Sequence, residues 1–300
     1  VNSFKDFSPT FVTDPIKLLK ERGLIITDEI RAVKYLDSIS YYRLSGYMFH
    51  LQNKSDNDRF IEGTTFDEII NLYKFDKALR GIILEYIERI EVCLRAKLSN
   101  KYSIKYGFFW YLNENLYADT LSYNIIKKDI IDSFENPKER FLISFKAKYT
   151  DENFPPSNMA LEILSFGKLT RLYSSLKNDE IKKEIASEFK QISSILAGYL
   201  IYINNVRNIC AHHSRLWNKK VTADRPAIPQ RKEYCFVGSI PEDFNTSMYG
   251  IISIIDRLLK SFNPSNSFIA KINSIINEFN VNTELMGFPL DWKENAVWLK

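Results

Sequence analysis

The stretch from Thr65 to about Tyr102 constrains the fold more than any other part of the sequence. Thr65 is followed three residues later by Glu68, which is the capping-box signature of a helix N-terminus. Beyond it, apolar residues recur at spacings of three and four on one face, and the opposite face is charged. They are Leu79, Ile83, Tyr86 or Ile87, Ile90 and Leu94. The pattern predicts one long scaffold helix with a single buried stripe.

The rest of the chain is also typical of helices, because glycine and proline together make up only 20 of its 300 residues. Shorter helices are predicted near 14–23, 28–39, 158–176, 179–189, 191–213, 246–262 and 265–280. The segment 219–245 holds three prolines and alternating short runs, which favour an irregular loop or a small hairpin. We therefore expect an all-α protein with three parts: an N-terminal helical segment (1–63), a helical core (64–218), and a basic loop with C-terminal helices packed on that core (219–300).

Several function classes are excluded by what the sequence lacks. Three scattered cysteines are too few for a disulfide framework, which favours a reducing, cytoplasmic location. No apolar run approaches the roughly 20 residues of a membrane span, and the first residues show no signal-peptide pattern. Neither a P-loop nor a dinucleotide-binding glycine motif is present, so no cofactor is expected.

Positive charge is concentrated in one segment, from Arg207 to Glu233. Seven basic residues stand there against two acidic ones, a local excess of +5 in a chain whose total is +4. Such a concentration is typical of a surface that binds a polyanion, or simply of a solvated loop. As candidate RNA contacts we take Arg215, Lys219, Lys220, Arg225, Arg231 and Lys232. Trp217 and Tyr234 would either stack on unpaired bases or belong to the core.

The residues best suited to chemistry lie at the start of this segment. His212 and His213 follow Arg207 and Asn208 near the end of a predicted helix. Histidine transfers protons near neutral pH, and arginine binds phosphate, so the pattern R-N-x-x-x-H suits metal-independent RNA cleavage by the RNA's own 2′-hydroxyl. The alternatives are histidines that compensate the helix dipole and a zinc site with Cys210, which lacks a convincing fourth ligand. Cys210 itself fits a buried structural residue.

Helical spacing restricts how these side chains could cooperate. Asn208 and His212 are four residues apart and share a face, whereas Arg207 and His212 lie about 140° apart around a straight helix. Either the helix ends near Ala211, or a second copy of the chain completes the site across a two-fold axis.

The stretch NNVRNICAHHSRLWN (204–218) resembles the signature of the Abi abortive-infection family (AbiD/AbiF-like) of the HEPN superfamily, whose hallmark is R-x4–6-H with a polar residue after the arginine. Other landmarks of that family follow in the expected order. They are SYYRLSGY (40–47), TFDEIINLYKFDKALR (65–80), IERIEVCLRAKL (87–98), PSNMALEILSFGKLTRLY (156–173) and GFPLDW (287–292). One departure is Asn158, where an aromatic residue is expected.

This resemblance implies an all-α HEPN bundle, a homodimer with a composite groove, and a metal-independent endoribonuclease toxin of phage defence. Arg207, Asn208 and His212 match the hallmark, and His213 fits a longer gap. Glu91 on the long helix is the candidate for the acidic residue that such proteins place beside the arginine. A structured RNA that restrains the toxin is a further implied partner. The alternative is a non-catalytic module that binds RNA or a protein partner.

Overall fold

A computed structural model describes residues 13–229, 236 and 240–294. Within them the chain forms twelve α-helices and one short antiparallel ribbon, so the all-α prediction is confirmed. The helices are α1 (Thr13–Glu21), α2 (Glu29–Ile39), α3 (Tyr41–Met48), α4 (Phe66–Tyr106), α5 (Thr120–Glu135), α6 (Arg140–Lys148), α7 (Ser157–Ala160), α8 (Phe166–Ser175), α9 (Glu180–Glu188), α10 (Ser193–Ala211), α11 (Met248–Phe262) and α12 (Phe268–Phe279). The ribbon pairs β1 (Gln52–Asn53) with β2 (Arg59–Phe60).

The described chain divides into two compact units. The first contains residues up to Leu79 together with Ser274–Val281, and the second contains Arg80–Asn273 and the residues from Asn282 onward. The boundaries drawn from the sequence at 63 and 218 stay a prediction.

In the first unit, α1 and α2 follow the predicted spans closely because local signals fix their ends. Asp28 caps α2 by accepting a hydrogen bond from the Arg31 amide at 2.9 Å. α1 is followed by Gly23 in the left-handed region (φ +89°), where glycine is favoured because it has no Cβ. The fully buried residues of this unit include Leu19, Ala32, Leu44, Ile69 and Phe75.

The capping box that opens α4 forms as the sequence predicts. The Thr65 amide donates to Glu68 Oε2 at 2.9 Å, and the Glu68 amide donates to Thr65 Oγ1 at 3.2 Å. α4 continues to Tyr106, one turn beyond the predicted end. In the second unit its apolar stripe is fully buried, with Ile83, Tyr86, Ile87, Ile90 and Leu94 all inaccessible to solvent.

The second unit positions α10 between its neighbours α8 and α9. Gly167 of α8 faces α10, and a Cβ at that position would lie at contact distance, 3.4 Å, from the side-chain amide nitrogen of Asn204. The apolar stripe predicted for α10 is buried, including Leu196, Leu200, Ile203 and Val206. The middle of α10 is therefore packed in this unit, and exposed residues are found at its two ends, such as Ser194 and Ala211.

The prediction of a single helix over 158–176 is wrong, because the chain forms α7, a turn and α8 there. Ser165 starts α8 anew by accepting from the Lys168 amide at 3.5 Å. The Arg95 guanidinium on α4 donates to the carbonyls of Leu161 and Leu164, both at 3.0 Å, and satisfies the groups that a continuous helix would have used internally. The break is thus stabilised from a distant part of the sequence.

The described part of 219–245 contains no strand, so the irregular alternative holds for residues 219–229, 236 and 240–245. The segment is anchored by Leu216 and Trp217, which are fully buried, and by the Val221 amide, which donates to the Thr246 carbonyl at 2.9 Å. The tail packs on α11 through Phe288, whose ring centroid lies 5.1 Å from that of Tyr249, and Trp292 packs on Phe288.

Candidate functional site

The C-terminal end of α10 contains Arg207 and Asn208, and the two histidines follow directly after the helix. α10 ends at Ala211, and His213 adopts a left-handed conformation (φ +56°). The His213 amide donates to the Cys210 carbonyl and the Ser214 amide donates to the Ile209 carbonyl, both at 3.0 Å. This pair of bonds is the Schellman motif, which closes a helix. Of the two arrangements left open by the sequence, the one in which the helix ends near Ala211 is therefore observed, and the two-fold partner stays a prediction.

Arg207 and Asn208 are in direct contact. Arg207 Nη1 donates to Asn208 Oδ1 at 3.2 Å, and both side chains are partly buried. His212 occupies the C-cap position, where its amide donates to the Asn208 carbonyl at 2.9 Å and its ring is exposed. The last turn of α10 thus carries a half-buried guanidinium held by an amide, and the exposed imidazole of His212 follows it at the C-cap.

A groove of about 410 Å³ runs beside this helix end. Its wall includes Asn208, His212, Lys219 and Lys220. The groove therefore joins two members of the predicted catalytic set to two members of the predicted RNA-binding set. Arg207 and His213 do not line it. Lys220 is 69% exposed and lies 3.4 Å from Asp243.

The remaining basic residues are distributed differently. Arg215 is partly buried and Arg225 is exposed, and neither lines the groove. Arg231, Lys232 and Tyr234 lie outside the described residues. Trp217 is fully buried, so of its two predicted roles the core role is confirmed. Cys210 is likewise buried, as expected for a structural residue.

Glu91 contacts Arg95 rather than Arg207. Its carboxylate accepts from Arg95 Nη2 at 2.7 Å, and the two side chains are only 17% and 11% exposed. Because Arg95 also binds the turn between α7 and α8, the pair supports that turn. The described contacts give Glu91 a structural function, and its proposed role beside Arg207 stays a prediction.

Arg80 is a residue that the sequence analysis missed. It lies on α4, is only 5% exposed, and its Nη1 donates to the Ser214 carbonyl at 3.5 Å. It therefore reaches the turn that follows the two histidines. The available signal was an arginine between the buried positions Leu79 and Ile83, where a charge requires a specific partner.

A family model described as "Abi-like protein" matches residues 34–218, which include α4, α10 and the R-N-x-x-x-H pattern. The chain belongs to the Abi-like family. Membership in this family points to abortive infection, a form of defence against phage. Neither the comparison with curated proteins nor the comparison with solved structures gives a match.

Two further features of this Abi-like protein concern the described residues alone. Within residues 13–229, 236 and 240–294, no helix is both long and apolar enough to cross a membrane. In the same part of the chain, no three His, Cys, Asp or Glu side chains are grouped as they would be around a metal ion.

Proposed function

We propose that this Abi-like protein is a metal-independent endoribonuclease of the HEPN type that acts as a toxin in abortive infection. One observation carries the proposal: Asn208, which contacts Arg207, and the exposed His212 line one groove at the end of α10 together with Lys219 and Lys220. RNA cleavage by an internal nucleophile requires a group that transfers protons and a cation that binds the phosphate. Basic residues beside the site would attract the RNA.

In the proposed reaction the RNA 2′-hydroxyl attacks the adjacent phosphorus. His212 accepts the proton of that hydroxyl while the bond between phosphorus and the 5′-oxygen breaks, and the departing oxygen takes a proton from solvent. Arg207 stabilises the charge that develops on the phosphoryl oxygens, since a guanidinium donates several hydrogen bonds to such a group. Asn208 holds the Arg207 guanidinium through the contact of 3.2 Å. The products carry a 2′,3′-cyclic phosphate and a 5′-hydroxyl.

The proposed enzyme is a two-fold homodimer. Arg207 does not line the groove that contains His212, which agrees with their separation of about 140° around the helix. A second copy with its own helix end at the groove would supply an Arg207 opposite His212. A monomer that cleaves RNA at full rate, measured by light scattering and activity on the same fraction, would contradict this part of the proposal.

The proposed RNA partners are the substrate and a structured RNA that restrains the toxin. Sequencing the RNA that copurifies with the protein separates these from the alternative, an RNA-binding or interaction module without catalysis. A single species with discrete ends supports a restraining partner. A broad mixture that is never cleaved supports the binding module.

The decisive experiment identifies the products of cleavage. Purified protein is incubated with a short RNA and with the same RNA carrying one 2′-deoxynucleotide at the cleaved position. We expect cleavage of the first but not of the second, cyclic-phosphate ends by mass spectrometry, and full activity in EDTA. All three results follow because the nucleophile is the 2′-hydroxyl itself.

Two variants accompany the experiment. The double variant His212→Ala, His213→Ala removes both imidazoles, and Lys128→Ala changes an exposed residue of α5 as a matched control for contaminating ribonucleases. The double variant should lose cleavage and cellular toxicity, and the control should keep both. Unchanged cleavage by the folded double variant, or complete loss of wild-type activity in EDTA, would refute the proposal.

A further inference from the structure

A second cavity lies at the opposite end of α10 from Arg207. Its volume is about 910 Å³, and it is enclosed by the end of α8, by α9 and by the first turn of α10. Polar residues dominate its wall, among them Lys182, Lys183, Gln191, Ser193 and Ser194. We call it the α10 N-terminal cavity. The proposed ribonuclease function makes no use of it.

The first turn of α10 presents amide groups without a side-chain cap. Its N-cap residue is Ile192, which has no acceptor to offer. The first N–H groups of a helix have no intrahelical acceptor either, and the helix dipole adds partial positive charge at the same place. Neighbouring α9 differs, because Asp179 caps it by accepting from the Lys182 amide at 2.8 Å. The start of α10 is therefore suited to an anion.

A buried cation lies in the same cavity wall. Lys182 is only 6% exposed, and its Nζ donates to the carbonyls of Ser174 at 3.0 Å and Leu176 at 2.6 Å. Burial lowers the pKa of Lys182, and the nearby charge of Asp179 opposes that shift without forming a salt bridge among the described residues. The Tyr173 ring lies 5.2 Å from Nζ. An ammonium has three donors, so one donor is available to a ligand beside the two bonds to carbonyls.

One more polar side chain of the wall is buried and lacks hydrogen bonds. Gln191 is 2% exposed, and neither its amide nitrogen nor its amide oxygen has a partner. Leaving such groups unpaired inside a protein is unfavourable. The side-chain amide of Gln191 is a separate observation from the uncapped backbone amides of α10, and it indicates that the site is completed by something other than the chain.

From these observations we infer that the α10 N-terminal cavity binds a small phosphate-bearing molecule. The phosphate group would accept hydrogen bonds from the first amides of α10 and from Lys182, with Lys183 at the exposed rim. The donor and the acceptor of Gln191 would pair with a polar group of the same molecule. A cavity of about 910 Å³ is large enough for a mononucleotide, since small-molecule sites span about 300–1,000 Å³.

The test is a titration of the full chain with inorganic phosphate and, separately, with adenosine monophosphate. Calorimetry gives the affinity, and the thermal midpoint reports stabilisation by binding. Tighter binding of the nucleotide identifies a nucleotide-sized ligand, and equal binding identifies phosphate itself; both support the site. If neither compound at millimolar concentration binds, the unpaired groups hold ordered water only and the inference is wrong.

Variants locate the binding. Ser194→Asp places a carboxylate on the first turn of α10, which is favourable for the helix but repels an anion. We expect at least a tenfold loss of affinity with an unchanged or higher thermal midpoint, and a smaller loss for Lys183→Gln. The matched control is Lys219→Gln with Lys220→Gln, which removes charge from the groove at the other end of α10. If this control loses the binding and Ser194→Asp keeps it, the ligand occupies that groove and the inference fails.

RNA cleavage is measured separately on the same variants. Because binding is read by calorimetry without RNA, a failure of the proposed ribonuclease function leaves this test intact. Conversely, if the cavity binds no ligand, the chemistry proposed at Arg207 and His212 is unaffected.

Discussion

The two ends of α10 satisfy their backbone in opposite ways. At the C-terminal end the left-handed His213 folds the chain back, so that its own amides bind the last carbonyls of the helix. At the N-terminal end Ile192 supplies no cap, and the first amides face a cavity. We call the C-terminal end the closed end and the N-terminal end the open end. Reactivity at the closed end must therefore come from side chains, such as His212. At the open end the backbone amides themselves are available to a ligand.

The lysines at the two ends of α10 differ in how far they are exposed to solvent. Lys219 and Lys220 line the C-terminal groove from an irregular segment, and Lys220 is largely exposed. Lys182 at the other end is buried and held by two backbone carbonyls. Exposed lysines attract a polyanion at long range and bind it weakly at each contact. A buried lysine is instead suited to one small anion in a fixed position.

The largest expected effect separates the two histidines at the closed end. His212→Ala should lower the cleavage rate by about 100- to 10,000-fold, since it removes the proposed proton-transfer group. His213→Gly removes the other ring while glycine keeps the left-handed turn, so its loss should be far smaller. Single-turnover rates of the two variants, compared with the wild type, check the assignment.

The reverse order of these two rates would assign the proton transfer to His213. If His212→Ala lowers only the free energy of unfolding, by about 0.3–1 kcal/mol, and leaves cleavage intact, then the histidine serves to compensate the helix dipole. Circular dichroism on both variants confirms that the helix content is kept.

The next effect concerns Arg207. Arg207→Gln should slow cleavage by about 100- to 1,000-fold, as expected when a donor to the developing negative charge is lost. Arg207→Lys keeps the charge but not the fork of donors and should recover only part of the rate. Neither change should alter phosphate binding at the other end of α10. A parallel loss of both activities would mean that the two ends are not independent.

The sequence predicted the apolar stripe of α10 because its signals are local. The end of the helix near Ala211, one of the two arrangements that the sequence left open, likewise depends on neighbouring residues. The same is true of the capping box at Thr65 and Glu68. Local signals of this kind are the ones that a single sequence carries most directly.

The open end of α10 could not be predicted, because it depends on contacts between distant segments. Lys182 reads from the sequence as an ordinary helix surface residue, and it is buried only because α8 ends beside it. The break between α7 and α8 was missed for a similar reason, since Arg95 reaches it from α4. Glu91 matched a family expectation by position, yet its observed partner is Arg95.

A smaller effect is expected from the basic segment at the closed end. Changing Lys219, Lys220, Arg231 and Lys232 together to glutamine, in a His212→Ala background, should weaken RNA binding and flatten its salt dependence. The logarithmic slope should fall by about 0.7 for each phosphate contact that is lost. Binding titrations at several salt concentrations measure both quantities. An unchanged affinity and slope would show that this segment is only a solvated loop.

The smallest effect tests the open end directly through its missing cap. Ile192→Asn introduces an acceptor at the N-cap position, which should raise the free energy of unfolding by about 0.5–2 kcal/mol relative to Ile192→Ala. The alanine variant is the matched control, because both changes remove the same partly exposed apolar side chain. Denaturant unfolding of the two variants gives the difference, and adding phosphate should stabilise the asparagine variant less, since its amides are already bonded. Equal stability of the two variants would mean that the first amides of α10 already have acceptors, and the contrast between the two ends of this helix would no longer hold.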